Sequence, residues 1–160
     1  MFDYIFGLPM HALVIHAVVV LVPLSALCAI AYAARPGWRR LLRWPTAAGA
    51  LVAGISAFVA AESGEALLTR VSQVRAGTTD FDLLSNHTEW GDRAKLFCLL
   101  FMALTLVGLW FAPPPEGESP RGHAFEVLIG TLVVLSAVAA TVTVVLAGHA
   151  GSQVVWNGLA

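Results

Sequence analysis

Apolar residues run almost unbroken from Ala12 to Ala34, with His16, Pro23 and Ser25 as the main interruptions. A run of that length crosses a hydrocarbon core that needs about 20 residues, so the pattern predicts a first membrane-spanning helix over 11–34, with Pro23 placed to kink it. A second helix is predicted over 45–61, opening at Pro45 as a first-turn residue and dominated by alanine and glycine. Its Gly49/Ala53, Ala50/Gly54 and Ala53/Ala57 pairs are small residues at a spacing of four, which suits close packing against neighbours rather than lipid on all sides. From Glu65 to Arg75, Leu67, Leu68, Val71 and Val74 recur at helical spacing among polar residues, predicting a short interfacial amphipathic helix broken at Ala76-Gly77-Thr78-Thr79. Asn86-His-Thr-Glu89 fits a capping pattern and opens a third helix over 87–112, with Asp80 as an alternative, earlier start, and three prolines end it. A turn-rich loop follows from Pro113 to Gly122. The fourth helix is predicted over 124–148, ending at Gly148-His149-Ala-Gly151, with the tail from Ser152 to Ala160 folded over the surface.

These elements make one integral membrane domain over 1–160: an all-α bundle of four transmembrane helices. Composition agrees, since 58% of residues are hydrophobic and 12% charged, about half the charged share of a soluble domain. A formal net charge of −1 and the lack of basic blocks argue against nucleic acid. The partner is the lipid bilayer. Orientation follows from Arg35, Arg39, Arg40 and Arg43, four arginines tight against two helix ends with Trp38 and Trp44 beside them, as in a short cytoplasmic loop. The expected topology is therefore N-out and C-out in a bacterial cytoplasmic (inner) membrane. No basic segment or small-residue cleavage pattern marks the first helix as a removable signal. Cys28 and Cys98 are expected at different depths, so no disulfide is expected between them.

This topology collects His11, His16, His87 and His149 at one membrane face, with Glu62, Glu65 and Glu89, and leaves His123 at the other. An ionisable residue in a spanning segment is by default a functional candidate. His11 and His16 are about 7.5 Å apart along a helix and about 140° apart around it, so each faces a different neighbour. Singly, His11 and His87 also read as wetted cap or loop residues, and Glu62 and Glu65 as headgroup neighbours or partners of Arg70. Together they read as a site. Imidazoles suit b-type haem iron, or a transition metal such as copper, zinc or iron, with Glu62 and Glu65 adding oxygen ligands. No CxxCH is present for covalent haem attachment. His16 lies about one and a half turns inside its helix, where an unpaired imidazole would be costly. It is expected to be one ligand, facing His149 or His87, with His11 beside the site or in water. No hydrolytic constellation is present, so whether the chain is an enzyme stays open. Three functions remain: a haem-based electron carrier with a redox partner, a metal-binding or permeation protein, or a cofactor-free accessory subunit docking another membrane protein. A homo-oligomer is open in each. The two hairpins share a rough plan, but their sequences are too dissimilar to claim an internal repeat.

The order Gly7-Leu-Pro-x-His11-x-Leu-x-x-His16, Pro23, Ser63-Gly64-Glu65, His87-Thr-Glu, Gly148-His149-x-Gly151 and Val154-Val155-Trp156 resembles the bacterial membrane family called domain of unknown function 2231. The resemblance covers nearly the whole chain and implies a four-helix inner-membrane protein without an assigned activity. It carries over His11, His16, Ser63, Gly64, His87, Gly148, His149 and Gly151 as recurrent positions. The chain departs from the family's pattern at Ala12 and Asn157, where proline and histidine are frequent.

Overall fold

The computed structural model describes residues 4–5, 7–74, 81–112 and 122–156. Two-residue strands β1 (Tyr4–Ile5) and β2 (Leu8–Pro9) pair antiparallel and lead into α1 (Met10–Ala34). A short 3-10 turn (Pro36–Trp38) joins α1 to α2 (Arg39–Val74), followed by α3 (Phe81–Phe111) and α4 (His123–Trp156). All four helices are long and apolar enough to cross a membrane. They form an up-and-down ring in which α1 and α3 each pack on α2 and α4.

The helices exceed the sequence-based bounds at several ends, for physical reasons. Proline lacks one N–H but has a helical φ, so α2 starts at Arg39 and carries Pro45 inside it, as α1 carries Pro23. The amphipathic stretch after Glu65 continues α2 to Val74 and is not a separate interfacial helix. In α3, Phe81 to Asn86 are helical, so the helix takes the earlier of its two expected starts and runs through the Asn86 cap pattern. Gly148 and Gly151 do not end α4, which runs on to Trp156 instead of folding back as a tail. The proposed break at 76–79, the turn-rich loop at 113–121 and the last four residues lie outside the described residues.

The core is built mainly of small side chains: Ala26 and Ala29, Ala50, Ala53 and Ala57, Ala94 and Cys98, Ala137 and Ala140, with Phe101 its largest wholly buried member. Large apolar side chains point the other way. Leu24, Leu27, Ile55, Leu96, Leu128, Leu135 and Val145 are all exposed. Small residues inside and large apolar ones outside is the packing of a bundle whose solvent is lipid, because helices there gain by close backbone approach rather than by hiding leucine from water. Trp38, Trp44 and Trp110 are exposed toward the arginine end and Trp156 at the other, as interfacial anchors. Both cysteines are free.

The two hairpins repeat one pattern. Buried Val18, Val22, Ser25, Ala29 and Tyr32 of α1 correspond, at a constant offset, to buried Ala94, Cys98, Phe101, Thr105 and Gly108 of α3. Thr46, Ala50, Ala53 and Ala57 of α2 correspond in the same way to Val133, Ala137, Ala140 and Val144 of α4. Residue types differ at most of these positions, so the repeat lies in the spacing of buried positions and not in identity. The related helices run in the same direction, so the two hairpins are related by a pseudo-two-fold axis along the bundle. The pairing of Arg39 with Glu126 fits this relation, because the two stand at corresponding positions of α2 and α4.

Candidate functional site

At the histidine end, each hairpin builds the same contact. His11, in the first turn of α1, donates from Nδ1 to the carbonyl of Ala60 on α2 at 2.8 Å. His87, on α3, donates from Nδ1 to the carbonyl of Ala147 on α4 at 3.0 Å. A carbonyl only accepts, so both neutral rings carry their proton on Nδ1 and keep the Nε2 lone pair. No hydrogen bond is made to either Nε2 among the described residues.

One helical turn beyond each carbonyl stands a glycine, and the glycine is what lets the ring in. A Cβ at Gly64 would come within 2.9 Å of His11 Cε1, and one at Gly151 within 2.8 Å of His87 Cε1. Gly64 and Gly151 are therefore corresponding notches, four residues past Ala60 and Ala147 respectively. Ser63 adds a second donor to the Ala60 carbonyl at 3.0 Å. The two imidazoles are themselves corresponding residues, and they meet edge to face with ring centres 6.1 Å apart at 74°. Both are half-buried.

The other sequence-predicted residues lie apart from this pair. His16 is exposed and turns its Nδ1 back to the Ala12 carbonyl one turn earlier, at 2.5 Å. With His11 facing α2, the rotation of about 140° between the two carries His16 to an outer surface. The expectation that His16 is the enclosed member and His11 the wet one is thus reversed. His149 is exposed on α4, and His123 is exposed at the arginine end. Glu62 and Glu65 meet Lys95 of α3, at 3.3 and 3.8 Å, with Asp92 at 3.5 Å from the same ammonium. Glu89 pairs with Arg93 one turn along α3 at 3.1 Å. The carboxylates balance cations rather than joining the histidines, and among the described residues no three His, Cys, Asp or Glu side chains gather as a metal site would require.

Sequence reasoning did not find the polar pair at the opposite end. Arg39 Nη1 donates to Glu126 Oε2 at 3.0 Å, with only 8% and 18% of the two side chains exposed. The guanidinium also lies over the Tyr32 ring, whose hydroxyl donates to the Ala112 carbonyl at 2.6 Å. A signal was present, since Glu126 is the one Asp, Glu, Lys or Arg in α4.

A family model described as a predicted membrane protein (DUF2231) matches residues 7–159. No curated protein and no solved structure matches the chain.

Proposed function

The chain belongs to the DUF2231 family of predicted membrane proteins, and from that premise we propose that this multi-pass membrane protein holds a redox cofactor between its two hairpins, with His11 and His87 as the paired ligands. The observation that carries the proposal is the state of the two rings. Each has its Nδ1–H fixed by a main-chain carbonyl and, among the described residues, no hydrogen bond at Nε2, and the ring centres are 6.1 Å apart. A carbonyl on the remote nitrogen is the usual support of a metal-bound imidazole, since it fixes both tautomer and ring orientation. With no third donor beside them among the described residues, His11 and His87 would suit the iron of a b-type haem better than a zinc or iron site that needs three or four protein ligands. Haem would supply one-electron transfer between a membrane carrier and an outside partner. The protein's own residues orient the rings and limit water around them.

The spectrum of the purified protein tests this reading. A Soret band that is lost in His11→Ala and in His87→Ala, but kept in His16→Ala and His149→Ala, supports it. Stoichiometric copper or another transition metal without that band favours the metal-binding alternative. Neither signal in folded native protein rejects the cofactor and leaves the pair as a clasp between hairpins in an accessory subunit. The glycine notches favour that second reading, because they are filled by the imidazoles themselves.

In this proposal the histidine end faces outward from a bacterial inner membrane, because Arg35, Arg39, Arg40 and Arg43 crowd the other end. With Cys28 and Cys98 replaced, a cysteine at Thr78 then reacts with an impermeant reagent added outside, and one at Gly37 does not. The opposite labelling reverses the orientation.

A further inference from the structure

Threonines within helices ordinarily return their hydroxyl hydrogen to a carbonyl three or four residues back. Thr69, Thr88, Thr131, Thr141 and Thr143 all do so here, at 2.8 to 3.0 Å. Thr46 on α2 and Thr105 on α3 do not. They are 1% and 2% exposed, and among the described residues neither Oγ1 has a hydrogen-bond partner. A third buried polar atom, Arg39 Nε, shares that condition. All three residues line one cavity near the arginine end, of about 20 Å³, with Tyr32, Glu126 and the apolar side chains of Ala29, Leu109 and Val133.

Three such groups around one space is improbable as chance, because a buried unmet donor or acceptor is costly and native structures hold few of them. Charge decides what the space suits. Arg39 is already paired with Glu126, so an anion would have to compete with that carboxylate, and a cation would meet the Arg39 Nε–H donor. What remains is a neutral molecule that both donates and accepts. A cavity of about this size accommodates one water, which needs two to four polar partners.

We propose that this cavity is a binding site for a single internal water. It accepts from Arg39 Nε–H and from one threonine hydroxyl, and donates to the other. The water ties α2 to α3 across the junction of the two hairpins.

The sign of a stability change tests the site. Thr46→Val and Thr105→Val keep the side-chain shape and remove the hydroxyl. With a bridging water, each lowers the midpoint of thermal unfolding of the purified protein by about 2–4 °C. The double variant falls no further than the lower single, because either substitution already dismantles the bridge. Thr105→Ser keeps the hydroxyl, and in that background Thr46→Val retains its penalty. A raised or unchanged midpoint for either valine overturns the proposal, since an apolar replacement of an unmet buried hydroxyl is neutral or stabilising. Strictly additive losses overturn it too.

Discussion

At Gly64 two terms of similar size oppose each other, and the imidazole decides the balance. Alanine in a helix interior is favoured over glycine by about 1 kcal/mol. A Cβ there would, however, stand 2.9 Å from His11 Cε1 and turn the ring off the Ala60 carbonyl, losing about 1 kcal/mol of hydrogen bonding. Gly64→Ala is therefore expected to be near neutral in the native chain and stabilising, by about 2–4 °C in the unfolding midpoint, once His11 is also alanine. The same cycle applies to Gly151 and His87. Equal effects with and without the histidine would show that the notch does not serve the ring. This pairing marks the limit of what the sequence discloses about the site. The sequence places four histidines at one face, but which of them turn inward depends on where the helix faces point, and helix rotation is set by partners that are distant in the chain. His16 invited attention for its depth in an apolar run, yet that run is outward-facing at Leu13, His16, Val19 and Val20.

At the scale of elements, the four apolar runs are legible because membrane spans declare themselves by length, and their number and order follow from that alone. Their ends are less so. Proline and glycine suggest boundaries, whereas Pro45 lies seven residues into α2 and is carried inside it at the loss of one main-chain hydrogen bond, and Gly151 is retained because a ring fills the space beside it. The contact between elements that sequence reading missed is also the one with the largest expected energetic effect. Removing the Glu126 charge would leave the Arg39 guanidinium, 8% exposed, facing a neutral amide, and stranding one member of an enclosed ion pair costs about 3 kcal/mol or more. Glu126→Gln should therefore lower the stability of the purified protein strongly. Glu62→Gln at the other end, where Glu62 is 49% exposed beside Lys95, should cost less than about 1 kcal/mol. Similar losses for the two variants would mean that enclosure does not distinguish these pairs.

Across the whole molecule, the pseudo-two-fold axis has a consequence for assembly. Corresponding residues meet where they lie near such an axis, and they do so twice: His11 with His87 at one end, and Arg39 with Glu126 at the other. The first meeting pairs like with like, but the second pairs opposite charges. A dimer of two α1–α2 hairpins would set Arg39 against Arg39, and a dimer of two α3–α4 hairpins would set Glu126 against Glu126. Like charges in that enclosed position disfavour both. The enclosed ion pair thus favours the complementary pairing, and the exposed contacts of Lys95 with Glu62 and Glu65, which also cross between the hairpins, act in the same direction. Cutting the chain between Gly77 and Thr78 tests this, because the joining segment then no longer holds the halves together. Co-expressed halves should be recovered one to one through a tag on either. A tagged half expressed with an untagged copy of itself should retrieve little. Glu126→Arg in the second half should abolish recovery, and Arg39→Glu in the first should restore it. Self-association as strong as the mixed pairing, or failure of the exchanged pair to recover it, would show that the ion pair does not select the partner.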